Sequence, residues 1–192
     1  MPTLLATGFG VWDDHQENAS WEILQGIAPM VPSGWRLEVA KIPVSWAEAP
    51  VRLGKLLSDD VGAAVLFGQG SEDAIQVERV AVNLADPRRD DIDGKRHRAK
   101  VIEPDGPPAY DTGLPWKAVL GALGKADIPS RESRYAGEFL CNFAFYHLMH
   151  HISEVRPDVI GGFVHVPPLS AMPLETLKQA AEVVLGAVVT GK

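Results

Sequence analysis

Three observations predict that this chain folds as a three-layer α/β/α sandwich around a central, twisted, mostly parallel but mixed sheet. Apolar segments of strand length alternate with longer segments whose apolar residues recur at helical spacing. The most apolar of the strand segments carries no charge, as expected of a strand covered on both faces. With 192 residues, 46% hydrophobic and 22% charged, the chain has the length and apolar content of one core, so residues 1–192 are read as a single domain.

Taken in order, Thr3 to Phe9 is a buried strand running into a loop, Gly10 to Asn18. Asn18 or Ser20 can cap a helix bearing Trp21, Ile23, Leu24 and Ile27, closed by Pro32-Ser33-Gly34. Trp35 to Val44 alternates as a second strand, and Ser45-x-x-Glu48 is a capping-box pattern opening a helix through Val51, Leu53, Leu56 and Leu57. Ala63 to Phe67 is a charge-free strand ending at Gly68-Gln69-Gly70, and Val77 to Leu84 reads as a further strand. Residues 85–113 are irregular and rich in Pro, Gly and Asp, long enough to hold a short hairpin or a lid. Leu114 to Lys125 is a helix, Ile128 to Arg134 a short strand, and the segment after Gly137 a helix with Cys141 in or near its first turn. Asp158 to Val166 is an apolar strand carrying His165 near its end, and Pro173 to Val189 is the closing amphipathic helix.

Composition removes several classes of function. A net charge of −7 argues against a broad phosphate-binding surface, so nucleic acid is not an expected partner. The basic cluster Arg88-Arg89 with Lys95 to Arg98 is interleaved with Asp86, Asp90, Asp91 and Asp93, which suits a solvated loop. No apolar run approaches the ~20 residues of a membrane span. A single cysteine forms no internal disulfide, and the N-terminus lacks the basic and apolar regions of a signal peptide, so a cytoplasmic location is expected.

The cysteine then becomes the chemical question. A lone cysteine is more often an inert small hydrophobe than a nucleophile. At the first turn of a helix, however, unpaired N–H groups and the positive end of the macrodipole favour a thiolate. A thiol nucleophile needs a base within hydrogen-bond reach and a third group to orient that base. His165 is the candidate base. A polar ring inside an apolar strand carries a desolvation cost unless it is hydrogen-bonded, which a core histidine bonded to backbone would equally satisfy. Its place at the carboxyl end of a strand, where α/β sites gather, favours the base. Glu78 is the odd carboxylate of the VERVAVNL segment; it can orient His165 or pair on the surface with Arg79 or Arg88. His147 and His151 have metal-ligand spacing on one helix face, but Leu148 and Met149 stand where a helical zinc motif needs glutamate, so a solvated helix face is expected and no metal. Gly8-x-Gly10 is too short to be a dinucleotide fingerprint, and no cofactor is expected.

Several ordered motifs resemble the pyroglutamyl peptidase I (pyrrolidone-carboxylate peptidase) family across nearly the whole chain. A TGF-x-x-F loop and NPSWE correspond to Thr7-Gly8-Phe9 with Trp12 and to Asn18 through Glu22; GQ and ERVAIN correspond to Gly68-Gln69 and Glu78 to Asn83. DGP-x-AY with LP, AGTFVCN and FIHVP resemble Asp105 to Tyr110 with Leu114-Pro115, Ala136 to Asn142, and Phe163 to Pro167. The resemblance implies a cysteine exopeptidase that removes N-terminal pyroglutamate from peptides, with Cys141 as nucleophile, His165 as base and Glu78 as third member. It further implies an apolar slot for a neutral lactam. Phe9 and Trp12 would sandwich the ring and Phe139 or Leu140 close the slot. Gln69 and the Cys141 N–H would face the oxyanion, with Arg88 held near the site. A homo-oligomer, dimer or tetramer, is implied as well.

The chain departs from the family pattern at Val11-Trp12-Asp13-Asp14 and at Gly70-Ser71-Glu72-Asp73, where acids replace glycines or an arginine is missing. Negative charge is therefore expected beside the crevice, raising the Cys141 pKa or restricting the residue that follows pyroglutamate. Two alternatives stay open at this point: a binding protein of the same fold whose acidic loops close the crevice, and a thiol amidase acting on another small amide.

Overall fold

The computed structural model describes residues 1–12, 16–27, 34–86 and 88–191. Along the chain the elements are β1 (Thr3–Phe9), α1 (Ala19–Glu22), β2 (Arg36–Ile42), α2 (Glu48–Leu56), β3 (Val61–Gln69), β4 (Ile75–Glu78), β5 (Val80–Val82), β6 (Ala109–Asp111), α3 (Trp116–Lys125), β7 (Ser130–Ser133), α4 (Leu140–Val155), β8 (Ile160–Val166) and α5 (Leu174–Thr190). Six strands form one sheet in the order β2-β1-β3-β8-β4-β7, and β5 pairs with β6 in a two-stranded ribbon. All neighbours in the large sheet are parallel except β4, which runs antiparallel to β8. The expected mixed, mostly parallel sheet is thus present.

Each face of the sheet carries its own apolar layer. Leu5, Leu66 and Phe163 pack with Ala49 and Leu53 of α2 and with Ala144, Phe145 and Leu148 of α4. On the other face Leu4, Ala6, Val65 and Val164 meet Val119 and Leu123 of α3 and Leu177, Val184 and Val188 of α5. β1 and the centre of β3 are buried on both faces, which is why their sequences are uninterrupted by charge.

Two sequence expectations change. The first helix is one turn long: Asn18 caps it by accepting from Ser20 N–H at 3.1 Å, and the chain then turns through Gly26, whose φ of 71° lies in the left-handed region. Pro32 and Ser33, expected to close that helix, lie outside the described residues. Val77 to Leu84 is not one strand but two, in different sheets. Arg79 N–H donates to Ser133 O on the β7 side while its carbonyl accepts from Thr112 N–H, so the chain leaves the large sheet at that residue. Alternation along one sequence run does not reveal which neighbour each half will pair with.

The long connection after β5 is organised by buried polar side chains. Asn83 Oδ1 accepts from Ile102 and Glu103 N–H, and its Nδ2 donates to Glu103 and Gly106 carbonyls. Asp91, also buried, accepts from the N–H groups of Trp46, Asp93 and Lys95. Asp90 and Arg96 form a small bridged turn within it. Its basic side chains are largely exposed, as a solvated loop requires.

Candidate active site

The carboxyl ends of β1, β3 and β8 open together on one edge of the sheet, and α4 begins beside them. Register then decides which side chains meet. His165 sits opposite Gly68 on β3 and Gln76 on β4, and Phe163 sits opposite Glu78. Phe163 and His165 are two residues apart and so share a face, which makes Glu78 the diagonal neighbour of His165 on the α4 side. His165 Nδ1 lies 2.7 Å from Glu78 Oε1, with Glu78 wholly buried and His165 8% exposed. A carboxylate can only accept, so Nδ1 carries the proton and the ring presents Nε2 on its other side.

Cys141 is the second residue of α4. Gly137, with φ of 79°, turns the chain into the helix, and Phe139 flanks the helix in an extended conformation without a side-chain cap, so the first N–H groups are left to whatever occupies the cleft. The Cys141 thiol stands close enough to His165 for its charge to act on the ring. A Cβ on Gly68 would stand 2.8 Å from this sulfur and 2.6 Å from the Phe163 ring, so glycine is needed where the thiol rests on the sheet. Burial pushes the His165 imidazolium towards the neutral form. The negative charge and hydrogen bond of Cys141, followed by those of Glu78, outweigh burial and raise the pKa to about 10.

A cleft of ≈ 860 Å³ surrounds this group, and all nine residues singled out from the sequence except Glu78 line it. Phe9 is 3% exposed and packs towards Phe163, with ring centroids 6.4 Å apart. The Trp12 and Phe139 rings, 4.9 Å apart, touch one another and make one wall, and Leu140 is buried behind. Gln69 Oε1 accepts from Ala19 N–H at 2.8 Å, which leaves its amide nitrogen uncommitted by that bond. Arg88 is largely exposed and held by Asp86 through contacts of 2.9 and 3.3 Å.

Reasoning on the sequence missed Arg89, whose guanidinium lies 4.7 Å from the Trp12 ring centroid and 4.4 Å from that of Phe139. It also missed Glu138 and Glu17, which line the cleft. These lie in irregular segments, where no periodicity signals a side chain's direction. The acids expected beside the crevice are placed otherwise. Glu72 pairs with Arg131 at 2.7 Å and Asp73 approaches the same arginine at 3.9 Å, and neither lines the cleft. Asp13 and Asp14 lie outside the described residues.

The histidine-rich end of α4 is less wet than expected, because α2 packs against it. His147 meets the Phe143 ring at 4.5 Å, and burial, then His150 and His97, push its pKa down to about 4. His150 Nδ1 bonds the Tyr110 hydroxyl at 2.8 Å. Among the described residues no group of three or more His, Cys, Asp or Glu is arranged to hold a metal.

Comparison with known proteins gives the same outline. A family model described as pyroglutamyl peptidase matches residues 2–189. A pyrrolidone-carboxylate peptidase of Deinococcus radiodurans is 39% identical over 178 residues, 91% of this chain and 82% of the relative. That of Yersinia pestis (strain Pestoides F) is 34% identical over 171 residues, 88% and 80% of the two chains. Among solved structures, pyroglutamyl peptidase I of Bacillus amyloliquefaciens superposes with a TM-score of 0.91 at 28% identity, covering 100% of this chain and 98% of that one. A mutant pyrrolidone carboxyl peptidase of Pyrococcus furiosus gives 0.92 at 26% identity, covering 98% and 99%.

Proposed function

The chain belongs to the pyroglutamyl peptidase family, and from that premise we propose that it removes N-terminal pyroglutamate from peptides by way of Cys141, His165 and Glu78. The observation that carries the residue assignment is the line from buried Glu78 through His165 Nδ1 at 2.7 Å to the Cys141 sulfur at an uncapped helix start.

The Cys141 thiolate attacks the pyroglutamyl carbonyl carbon, forming the C–S bond and moving the carbonyl electron pair onto oxygen. The N–H groups of the first turn of α4 face that oxyanion. Collapse expels the peptide amine, which takes its proton from His165 Nε2. Water, deprotonated by the same nitrogen, attacks the thioester, and pyroglutamate leaves with the thiolate restored. Glu78 accepts from Nδ1–H throughout, fixing the tautomer and balancing the imidazolium. A neutral lactam needs no carboxylate anchor, and the aromatic pair Trp12 and Phe139 with Phe9 below offers the apolar surface it requires.

Hydrolysis of a chromogenic pyroglutamyl amide tests this reading. Wild-type protein is expected to be active, Cys141→Ser inactive, and a pyroglutamate-like aldehyde to shield Cys141 from iodoacetamide. Turnover by Cys141→Ser, or alkylation unaffected by the aldehyde, would remove Cys141 from the mechanism. We also infer a cytoplasmic homo-oligomer. The single cysteine and the absence, among described residues, of any helix long and apolar enough to cross a membrane support the location, and family resemblance supports the assembly. A sedimentation mass equal to one chain would overturn the latter.

A further inference from the structure

Asn142 follows Cys141 in the chain and is completely buried although polar. Its amide is fully committed to one backbone segment. Nδ2 donates to Val82 O at 2.8 Å and Leu84 O at 2.9 Å, and Oδ1 accepts from Val82 N–H at 2.9 Å. Arg79 O and Asn83 N–H face the β6 side, bonding Thr112 and Pro108, so Val82 points its own groups to the opposite edge. There Asn142 occupies the place of a neighbouring strand, supplied by one side chain. The same segment takes a second hold, because Asp86 N–H donates to Glu138 O at 2.6 Å. Residues 82–86 therefore cross the start of α4 as a strap fastened on both sides of Cys141, three residues before it and one after.

Glu78 lies four residues before the strap, at the end of β4, and at and just beyond the strap's other end the chain brings Asp86, Arg88 and Arg89 to the cleft wall. We propose that Asn142 is a positioning residue. It ties the helix turn bearing the nucleophile to β5, which follows one residue after the strand bearing the carboxylate that orients His165, and so holds the sulfur against the imidazole. This rests on Cys141 being the nucleophile. Losing the amide leaves three backbone groups without their partner and frees the turn to shift, and a misplacement of about 1 Å at reacting atoms costs on the order of 100-fold in rate.

The test compares wild type, Asn142→Ala, Asn142→Ser and Val184→Ala, the last a core truncation in α5 that destabilises without touching the strap. Each is measured for thermal stability, for kcat and KM on a chromogenic pyroglutamyl amide, and for the rate of Cys141 alkylation by iodoacetamide against pH. The expected result for Asn142→Ala, folded at the assay temperature, is a kcat lower by about 10- to 100-fold with KM changed less than about threefold. Its alkylation profile should shift because the sulfur no longer rests on His165. Asn142→Ser, which fills more of the space and keeps one hydroxyl donor, should fall between and is the variant read if alanine does not fold. Val184→Ala should keep wild-type kcat and alkylation profile. The proposal is overturned if the Asn142 variants lose only melting temperature, with kcat and the alkylation profile of wild type. Failure of the nucleophile assignment itself would show separately, as turnover by Cys141→Ser in the same assay.

Discussion

His165 is held between a thiol and a carboxylate, and this contact gives the site its pH behaviour. With its pKa raised to about 10 it is an imidazolium at neutral pH, the form needed to protonate a leaving amine. The alkaline limb of kcat/KM should therefore lie near pH 10, not near the ordinary histidine value, and a limb near 6.5 would count against the arrangement. His165→Ala should cost about 10⁵-fold in kcat/KM, and Glu78→Gln one to two orders of magnitude less, because an orienting group contributes less than the groups it supports. Gly68 offers a sharper test of geometry. Since a Cβ there would meet the Cys141 sulfur at 2.8 Å and the buried Phe163 ring at 2.6 Å, Gly68→Ala should lose some stability and, where it is folded, on the order of 100-fold in kcat. Wild-type turnover by this variant would mean that the sulfur does not work from that position.

At the scale of elements, each part of the site is set by where a helix or strand stops. Asn18 caps α1 through Ser20 N–H and also donates to Gly10 O at 2.9 Å, joining the β1 loop to the helix, while Gln69 at the end of β3 accepts from the preceding N–H, that of Ala19. Asn18→Ala should cost about 1 kcal/mol of stability, read by chemical denaturation. Its effect on turnover should appear in KM more than kcat, as Asn18 lines the cleft but does not touch Cys141. α4 divides along its length. Its first turn carries Cys141, the proposed nucleophile, while Phe143 and His147 pack under the loop that brings His97 and Asp91 onto Trp46.

For the whole molecule, two histidines bound the stability curve from opposite sides. His147 takes its proton near pH 6.5 when unfolded but only near 4 when folded, so the unfolded state binds more protons in between and stability falls as pH falls. From pH 7 to 4 that amounts to about 3 kcal/mol. His147→Gln should flatten this slope in denaturation measured at pH 7 and at pH 4.5. His165 has the reverse sign: its contribution is complete below pH 6.5 and is lost as pH rises through about 10.

Much of this was legible without coordinates. Charge-free runs marked β3 and β1, and helical periodicity marked α3, α4 and α5. His165 and Glu78 stood out as polar groups within strand segments, where burial is costly unless they are hydrogen-bonded, although for Glu78 a surface pairing with Arg79 or Arg88 could be read from the sequence as well. Other features were set by contacts between residues far apart in sequence. The split of Val77 to Leu84 between two sheets depends on Ser133 and Thr112, and the pairing of Glu72 with Arg131 depends on β7 lying beside β4. Nothing local in the chain encodes those partners. By itself the sequence determined the fold class, the family and the residue types able to do thiol chemistry, since periodicity, burial cost and motif order are properties of the chain. Only the tertiary structure decided that β4 runs antiparallel to β8, which sets Glu78 diagonally beside His165, and that a strap pinned by Asn142 holds Cys141 there, since register and strand direction arise when distant segments pack.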